Sequence, residues 1–302
     1  MANSYLICRL TKNLSGQITG VEHERSKHVS LAAGLQSMLF VPGTRPERFA
    51  KALASGADCV CIDLEDAVPA GDKATARVAA LDSLGDPRLA IRINGLTTPD
   101  GLADLLALCA NAVRPRLIFI PKVESAHEVA IARSVLEDVA VGFVPLIETA
   151  RGLRAADAIA AEPGTAMMMF GGGDFSAELG VELAWEPLLF ARSQFVMACA
   201  GAGIPSMDVP YIRLGDEGGL ITETRRAKEL GFTAKAAIHP DQIMAIHQVM
   251  RPTVEELADA HEALAAFAAS GGGAVRYKGK LLEAPLMRRF RQIIAIGEQA
   301  HA

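Results

Sequence analysis

Two acidic residues near the middle of the chain follow short apolar runs, at the points where buried strands would end. Glu148 follows the run 144–147, and Asp174 follows the run 167–170 after three glycines. One helix-sized segment separates the two acids, so neighbouring parallel strands would bring their ends within about 5 Å of each other. Two carboxylates that close repel each other unless a cation lies between them. Their oxygens suit Mg²⁺, which takes one or two carboxylates and fills its other positions with water and substrate.

Polar and glycine residues also collect at the ends of other apolar runs. After 167–170 the glycines remove side chains where the strand ends, so the N–H groups of Gly172 and Gly173 can point at a ligand. Polar groups gathered from so many strand ends would be costly to desolvate without a function. Besides Glu148 and Asp174 they are Asp63, Glu65, Asp66, Arg92, Asn94, Lys122, Glu124, Asp208 and His239.

The composition indicates a globular protein with a large core. The chain has 302 residues, of which 50% are hydrophobic and 22% charged, enough for one large barrel or two domains. The net charge is −5 and no basic run is present, so we expect no nucleic-acid binding. No stretch approaches the ~18 apolar residues of a membrane span, so we expect no membrane partner. Five cysteines without Cys-x-x-Cys pairs favour a reduced compartment, and we expect a cytoplasmic protein.

Eight strand-like runs alternate with helical patterns in the central part of the chain. Eight βα units within about 210 residues are typical of a (β/α)₈ TIM barrel. A doubly wound sheet is the main alternative, but it has no need of eight evenly spaced units. The predicted strands are 38–41, 59–64, 89–93, 117–120, 141–147, 166–170, 204–209 and 232–238, and the predicted helices are 45–54, 73–84, 101–110, 126–136, 151–161, 187–200, 220–230 and 240–249.

The predicted barrel leaves segments of the chain on either side. We predict an N-terminal extension over 1–36, to which the sequence assigns no role, and a TIM-barrel catalytic domain over 37–250. Residues 251–302 are predicted as a C-terminal helical extension that packs on the barrel or on a neighbouring subunit. Within it we expect helices over 254–269 and 286–299, joined by an irregular stretch at 277–285.

From about residue 37 to the end, the chain resembles the citrate lyase β-subunit-like branch of the HpcH/HpaI aldolase family. Seven segments carry the resemblance in order and spacing. They are 38–43 (Met-Leu-Phe-Val-Pro-Gly), 63–68 (Asp-Leu-Glu-Asp-Ala-Val), 91–94 (Ile-Arg-Ile-Asn), 120–125 (Ile-Pro-Lys-Val-Glu-Ser), 147–152 (Ile-Glu-Thr-Ala-Arg-Gly), 170–174 (Phe-Gly-Gly-Gly-Asp) and 238–240 (Ile-His-Pro). The resemblance implies a Mg²⁺-dependent barrel lyase that acts beside the thioester of a citryl, malyl or citramalyl group on coenzyme A or an acyl carrier. It also implies a homo-oligomer, a trimer or a multiple of it.

The resemblance implies roles for individual residues. By position, Glu148 and Asp174 match the metal ligands, and Arg92 matches the arginine that faces the substrate carbonyl. The N–H groups of Gly172, Gly173 and Asp174 match the cradle for the keto-acid carboxylate. In the family an aspartate on the tail of the next subunit completes the site, and Glu283, one methylene longer, takes that place as the acid/base. The acids Asp63, Glu65 and Asp66 are expected to orient waters or Arg92 rather than bind the metal, and the coenzyme A candidates are Arg45, Arg48 and Lys51.

Each assignment has a structural alternative. Glu148 could cap a helix or pair with Arg151, Asp174 could cap a helix, and Arg92 could simply pair with nearby acids. Lys122 and Glu124 could form a pair on the rim, His239 could be structural, and Glu283 and the coenzyme A candidates could be ordinary exposed residues.

Four functions therefore compete. The first is a free-standing acyl-coenzyme A lyase, and the second is a thioesterase that uses the same enolate chemistry. The third is a β subunit that acts on a carrier-protein thioester inside a multi-enzyme complex. The fourth is a non-catalytic scaffold, against which the presence of Arg92, Glu148 and Asp174 argues.

Overall fold

The computed structural model describes residues 26–137 and 140–300, so most of the predicted N-terminal extension lies outside the described residues. Eight strands pair in parallel in chain order, and the first strand pairs with the eighth to close a barrel. The predicted (β/α)₈ TIM barrel is thereby confirmed. The strands are β1 (Ser37–Pro42), β2 (Cys59–Asp63), β3 (Leu89–Arg92), β4 (Leu117–Ile120), β5 (Gly142–Ile147), β6 (Met168–Phe170), β7 (Ser206–Asp208) and β8 (Ala234–Ala237).

The helices follow the strands along the chain and surround them, as in other barrels of this kind. A 3₁₀ turn over Pro46–Arg48 precedes the first of them. The helices that follow the strands, up to the end of the barrel, are α1 (Phe49–Leu53), α2 (Lys73–Asp82), α3 (Pro99–Ala110), α4 (Ala126–Leu136), α5 (Ala150–Arg154), α6 (Ala156–Ala161), α7 (Gly172–Leu179), α8 (Trp185–Ala202), α9 (Glu217–Leu230) and α10 (Gln242–Met250).

Two helical predictions are wrong in detail. The helix predicted over 151–161 is two short helices, α5 and α6, which meet at Ala155, where φ is −96° and ψ is 0°. The helix α7 is absent from the prediction because two glycines, Gly172 and Gly173, lower the helix propensity of its first turn. It forms nonetheless, beginning at Gly172 directly after β6 and ending at Gly180, whose φ of 69° suits glycine.

The barrel interior is filled by alternate residues of the strands, as the period-2 geometry of a strand requires. Each strand sends every second side chain inward, and the smaller residues of β8 lie near the bulkier methionines of β6 and β7. This buried cluster includes Met38, Cys59, Cys61, Ala90, Phe119, Val144, Leu146, Met167, Met169, Met207, Ala234 and Ala236. Cys59 and Cys61 are therefore core residues with free thiols.

The described residues divide into two compact units, one that ends at Ile246 and one that begins at His247. The second unit contains α11 (Val254–Ala269) and α12 (Ala284–Ala300) around a small core. Between them, where an irregular stretch was predicted, the chain forms a hairpin of β9 (Val275–Tyr277) and β10 (Lys280–Leu282). Lys278 and Gly279 both have positive φ, and a two-residue turn of this kind matches the twist of a hairpin.

Among the described residues, every helix is too short or too polar to cross a membrane.

Candidate active site

Strand alternation decides which residues reach the carboxyl end of the barrel interior. On β2 the core residue Cys61 points inward, and Asp63 is the next inward position. The same alternation brings Arg92 at the end of β3, Glu148 after β5 and Gly171 after β6 to the barrel mouth. These last four residues line a cavity of about 520 Å³ at the C-terminal ends of the strands. Barrel enzymes carry their active sites on this face.

Arg92 is held by carboxylates from the segment after β2. Its Nε and Nη2 atoms donate to the two oxygens of Asp63 at 2.7 and 2.6 Å, a bidentate pair that fixes the plane of the guanidinium. Nη1 lies 2.9 Å from Glu65 Oε2 and 3.8 Å from Asp66 Oδ2. Burial alone would lower the pKa of Arg92, but these carboxylates raise it, so the side chain is charged. The acids after β2 therefore contact Arg92, one of the arrangements that the sequence allowed.

Glu148 is buried and aimed by its neighbours. Its side chain accepts a hydrogen bond at Oε2 from the main-chain N–H of Lys122, at 2.8 Å. Gly171 packs against it so closely that a Cβ atom at position 171 would overlap the Glu148 side chain. Burial, and next the neighbouring Glu65 carboxylate, raise the pKa of Glu148 to about 8. A cation bound beside Glu148 would favour its ionised form.

Asp174 lies in the first turn of α7, one strand further around the barrel. Its Oδ2 atom is buried and has no hydrogen bond within the part of the chain that the structure describes, although Lys122 Nζ lies 3.3 Å away. The first N–H groups of an α-helix have no partner inside the helix, so those of Gly172 and Gly173 can bind an anion. A Cβ atom at position 173 would meet no atom within 4 Å, which shows that this turn faces open space.

The charge balance of the site fits a divalent cation. Acidic side chains around the cavity outnumber the basic ones, and the buried Oδ2 atom of Asp174 accepts no hydrogen bond within the described residues, which leaves it able to bind a cation. No three His, Cys, Asp or Glu side chains of residues 26–137 and 140–300 are grouped to hold a metal by themselves. Two carboxylates with coordination positions left for water and substrate are the arrangement that Mg²⁺ takes. The acids are Asp63, Glu65, Asp66, Glu148 and Asp174, and the cations are Arg92 and Lys122.

The polar residues Asp208 and His239, at the ends of β7 and β8, do not line this cavity. Asp208 points out of the barrel towards α8, where Arg192 Nε donates to its Oδ1 atom at 2.9 Å. His239 lines a separate cavity, of about 560 Å³. Val209 and Ile238 occupy the inward positions of these strand ends and line the first cavity instead. The cavity is therefore charged beside β2 and β3 and apolar beside β7 and β8.

The structural alternatives for Glu148 are wrong. The helix α5 is capped by Thr149, whose hydroxyl accepts from Gly152 N–H at 3.0 Å. Arg151 lies 3.3 Å from Glu124, which also accepts a hydrogen bond from the Thr149 hydroxyl. Glu148 is thereby left to face the cavity.

Asn94, another of the polar strand-end residues, is occupied by structural contacts. Its side-chain nitrogen donates to Asp104 at 2.7 Å, and its side-chain oxygen accepts from Lys73 Nζ at 2.6 Å. Both partners belong to helices outside the strands, so Asn94 ties β3 to α2 and α3.

The remaining predicted site residues are exposed. Arg45 and Arg48 lie 3.7 and 3.9 Å from Glu47 Oε1, and Lys51 follows on α1. Their contact with coenzyme A stays a prediction. Glu283 belongs to the second unit, where it is exposed between β10 and α12, and its acid/base role likewise stays a prediction.

Two family models match the chain. The model described as HpcH/HpaI aldolase/citrate lyase matches residues 36–240, which contain all eight strands of the barrel. The model described as a carbon–carbon bond lyase of the TIM-barrel fold matches residues 196–296. The first match covers more than half of the chain, and it confirms the family expected from the seven motifs.

Named relatives agree with the family models. An L-malyl-CoA/β-methylmalyl-CoA lyase of Cereibacter sphaeroides is 34% identical over 87% of this chain and 95% of its own length. A citrate lyase subunit beta-like protein of Mycobacterium tuberculosis is 37% identical over 86% of this chain and 94% of its own. The crystal structure of CitE from Mycobacterium tuberculosis, in complex with magnesium, acetoacetate and coenzyme A, has a TM-score of 0.77 at 36% identity and covers 89% of this chain and 99% of its own. The chain therefore belongs to the HpcH/HpaI aldolase/citrate lyase family, and it is a carbon–carbon lyase.

Proposed function

We propose that this protein is a Mg²⁺-dependent lyase that cleaves a 3-hydroxyacyl-coenzyme A into an acyl-coenzyme A and a keto acid. The observation that carries the proposal is the convergence of Glu148, Asp174 and Arg92 on one cavity. The carboxylates of Glu148 and Asp174 can bind a metal ion there, and the guanidinium of Arg92 can stabilise a negative charge that develops on the substrate. The relatives named as malyl-CoA and citramalyl-CoA lyases, and the solved relative that holds magnesium and coenzyme A, support the same class of substrate.

Glu148 and Asp174 are the residues that would hold the magnesium ion. When bound, the ion supplies Lewis-acid polarisation of the substrate hydroxyl and the adjacent carboxylate. The main-chain N–H of Lys122 orients the Glu148 carboxylate, and Asp174 lies in the first turn of α7. The N–H groups of Gly172 and Gly173 bind the carboxylate that leaves with the keto acid.

The bond cleavage is of the retro-Claisen type. The C3 hydroxyl loses its proton, the C2–C3 bond breaks, and its electron pair passes into the thioester as an enolate while C3 becomes the keto carbon. Arg92 stabilises the enolate oxygen, because Asp63 holds its guanidinium in place before the charge develops. A proton then adds to the enolate carbon and releases the acyl-coenzyme A. We assign the acid/base role to Glu283 of a neighbouring subunit, which requires an oligomer, and from the family resemblance we propose a homotrimer or a multiple of it.

The coenzyme A moiety would lie on the side of the barrel where the chain leaves β1. Arg45, Arg48 and Lys51 are exposed there within one helical stretch. Their positive charges suit the phosphates of coenzyme A, which carry several negative charges.

A coupled assay tests the proposal. Malyl-, citramalyl- and citryl-coenzyme A are each incubated with the protein and Mg²⁺, and keto acid and free thiol are measured in the same tube. We expect keto acid and acyl-coenzyme A without free thiol. Stoichiometric thiol would instead identify a thioesterase. If folded, metal-bound protein released neither product from any of the three substrates, a carrier-protein thioester would be favoured as the substrate.

The metal assignment has its own control. Glu148→Gln keeps the size of the side chain but removes the charge that binds the ion. We expect this variant to lose turnover, and a variant with normal turnover and normal Mg²⁺ dependence would refute the assignment.

A further inference from the structure

Lys122 has a backbone conformation that lysine seldom adopts. Its φ is 54°, in the left-handed region that glycine enters without strain. This turn follows the end of β4 and directs the Lys122 main-chain N–H at Glu148 Oε2, 2.8 Å away. The backbone of Lys122 therefore aims a carboxylate of the site, and a glycine could do the same. Since the backbone role does not require lysine, we infer that the Lys122 side chain has a role of its own.

The side chain of Lys122 joins acids from two different segments. Its ammonium lies 2.7 Å from Glu65 Oε1 and 3.4 Å from Asp66 Oδ1, both in the segment after β2. It also lies 3.3 Å from Asp174 Oδ2, the oxygen that has no hydrogen bond within the described residues. One lysine thus contacts one ligand of the proposed metal site by its backbone and the other by its ammonium.

We propose that Lys122 is a positioning residue of the metal site, whose ammonium stands in for the cation at Asp174 until Mg²⁺ binds. On metal binding the ammonium gives up Asp174 and stays paired with Glu65 and Asp66, while the N–H continues to hold Glu148. The proposal rests on the proposed function, because it takes Glu148 and Asp174 as the metal ligands. The ammonium of Lys122 would thereby reduce the repulsion between the acidic side chains of the cavity while no metal is bound.

The proposal predicts the direction in which Mg²⁺ affinity changes. Lys122→Met removes the competing positive charge but keeps the N–H that aims Glu148. Mg²⁺ should then bind roughly five- to tenfold more tightly, because an ammonium close to a divalent ion repels it. The metal-free protein should become less stable, since Asp174 loses its cation. The rise in Tm on adding Mg²⁺ should therefore be larger than in the unmodified protein.

The chain offers a close control at Lys278. This residue also has a left-handed φ, of 45°, and its ammonium contacts two carboxylates, Asp259 at 2.6 Å and Glu262 at 2.9 Å, where that of Lys122 contacts three. These contacts all lie within the second unit. Lys278→Met therefore removes the same charge and the same kind of ion pairs within the second unit, which contributes neither of the two proposed metal ligands.

The experiment measures Mg²⁺ binding by titration calorimetry, and Tm in EDTA and in saturating Mg²⁺, for the unmodified protein and four variants. We expect Lys122→Met and Lys122→Gly to bind Mg²⁺ more tightly, and Lys122→Arg and Lys278→Met to keep the original affinity. Lys122→Gly also relieves the backbone strain, so it guards against misfolding of the methionine variant. Unchanged or weaker binding by both Lys122→Met and Lys122→Gly would overturn the role of Lys122. Failure of the unmodified protein to bind Mg²⁺ would instead overturn the metal assignment, and this proposal with it.

Discussion

A buried group of charges outside the barrel interior makes a strong prediction about stability. Asp208 is fully buried, and its two oxygens accept from Arg192 Nε at 2.9 Å and from Lys235 Nζ at 2.8 Å. Asp208 and Lys235 are also cross-strand neighbours in the β7–β8 pairing. Glu223 lies 2.9 Å from Lys235 and completes a neutral group of two acids and two bases. Asp208 is the only acid that contacts both cations among the described residues.

The substitution Asp208→Asn keeps the shape of the side chain and removes its charge. Arg192 is then left buried without a carboxylate partner, while Lys235 retains Glu223. Breaking a buried ion pair from one side costs about 3–5 kcal/mol in the free energy of unfolding. For a domain of this size, that loss lowers Tm by roughly 10 °C.

Chemical denaturation and thermal melting, followed by circular dichroism, measure the effect. The matched variant is Glu223→Gln, whose side chain is 17% exposed and whose loss leaves Asp208 as the counter-ion, so we expect a cost of about 1 kcal/mol or less. If Asp208→Asn lowered the free energy of unfolding no more than Glu223→Gln does, Asp208 would not be the principal counter-ion of the group.

The pH dependence provides a second check on Asp208. Burial alone would raise the pKa of Asp208, but Lys235 and Arg192 outweigh it, so the pKa lies below its usual value. A carboxylate with a lowered pKa stabilises the folded state above its unfolded pKa, about 3.9, and loses that contribution as the pH falls through its folded pKa. The free energy of unfolding of the original protein should exceed that of Asp208→Asn by its largest amount at pH 7. This difference in free energy should become smaller below about pH 4.

Three further predictions concern the candidate active site. Gly171→Ala should abolish Mg²⁺-dependent turnover, since its Cβ would overlap Glu148. Gly201→Ala, in an open part of α8, should leave turnover unchanged. Equal turnover in the two variants would contradict the close contact between Gly171 and Glu148. Arg92→Lys should lower kcat by roughly 100-fold with a smaller change in KM, because lysine cannot form the bidentate pair with Asp63, and a change confined to KM would oppose a role in the transition state. EDTA should stop keto-acid release and added Mg²⁺ should restore it; activity that persists in EDTA would argue against metal dependence.

Helix ends that are set by residues close together in the sequence could be predicted well. The helices α4 and α11 have the predicted bounds, because their ends are marked by local signals. Thr253 and Glu256, for example, satisfy each other's backbone N–H groups at 3.1 and 2.9 Å at the start of α11. The helix α7 went unpredicted, because its glycine-rich first turn forms where the chain leaves a barrel strand and not through helix propensity.

By itself, the sequence determined the eight βα units, the family and the identity of the acids and the arginine at the strand ends, because alternation and motifs are properties of residues close in the chain. The tertiary structure alone decided which of those residues meet. Asp63, Arg92 and Glu148 face one cavity while Asp208 faces away, because closure of the barrel gives each strand an inside and an outside. Only that closure brings Lys122 to Glu65, 57 residues earlier in the chain.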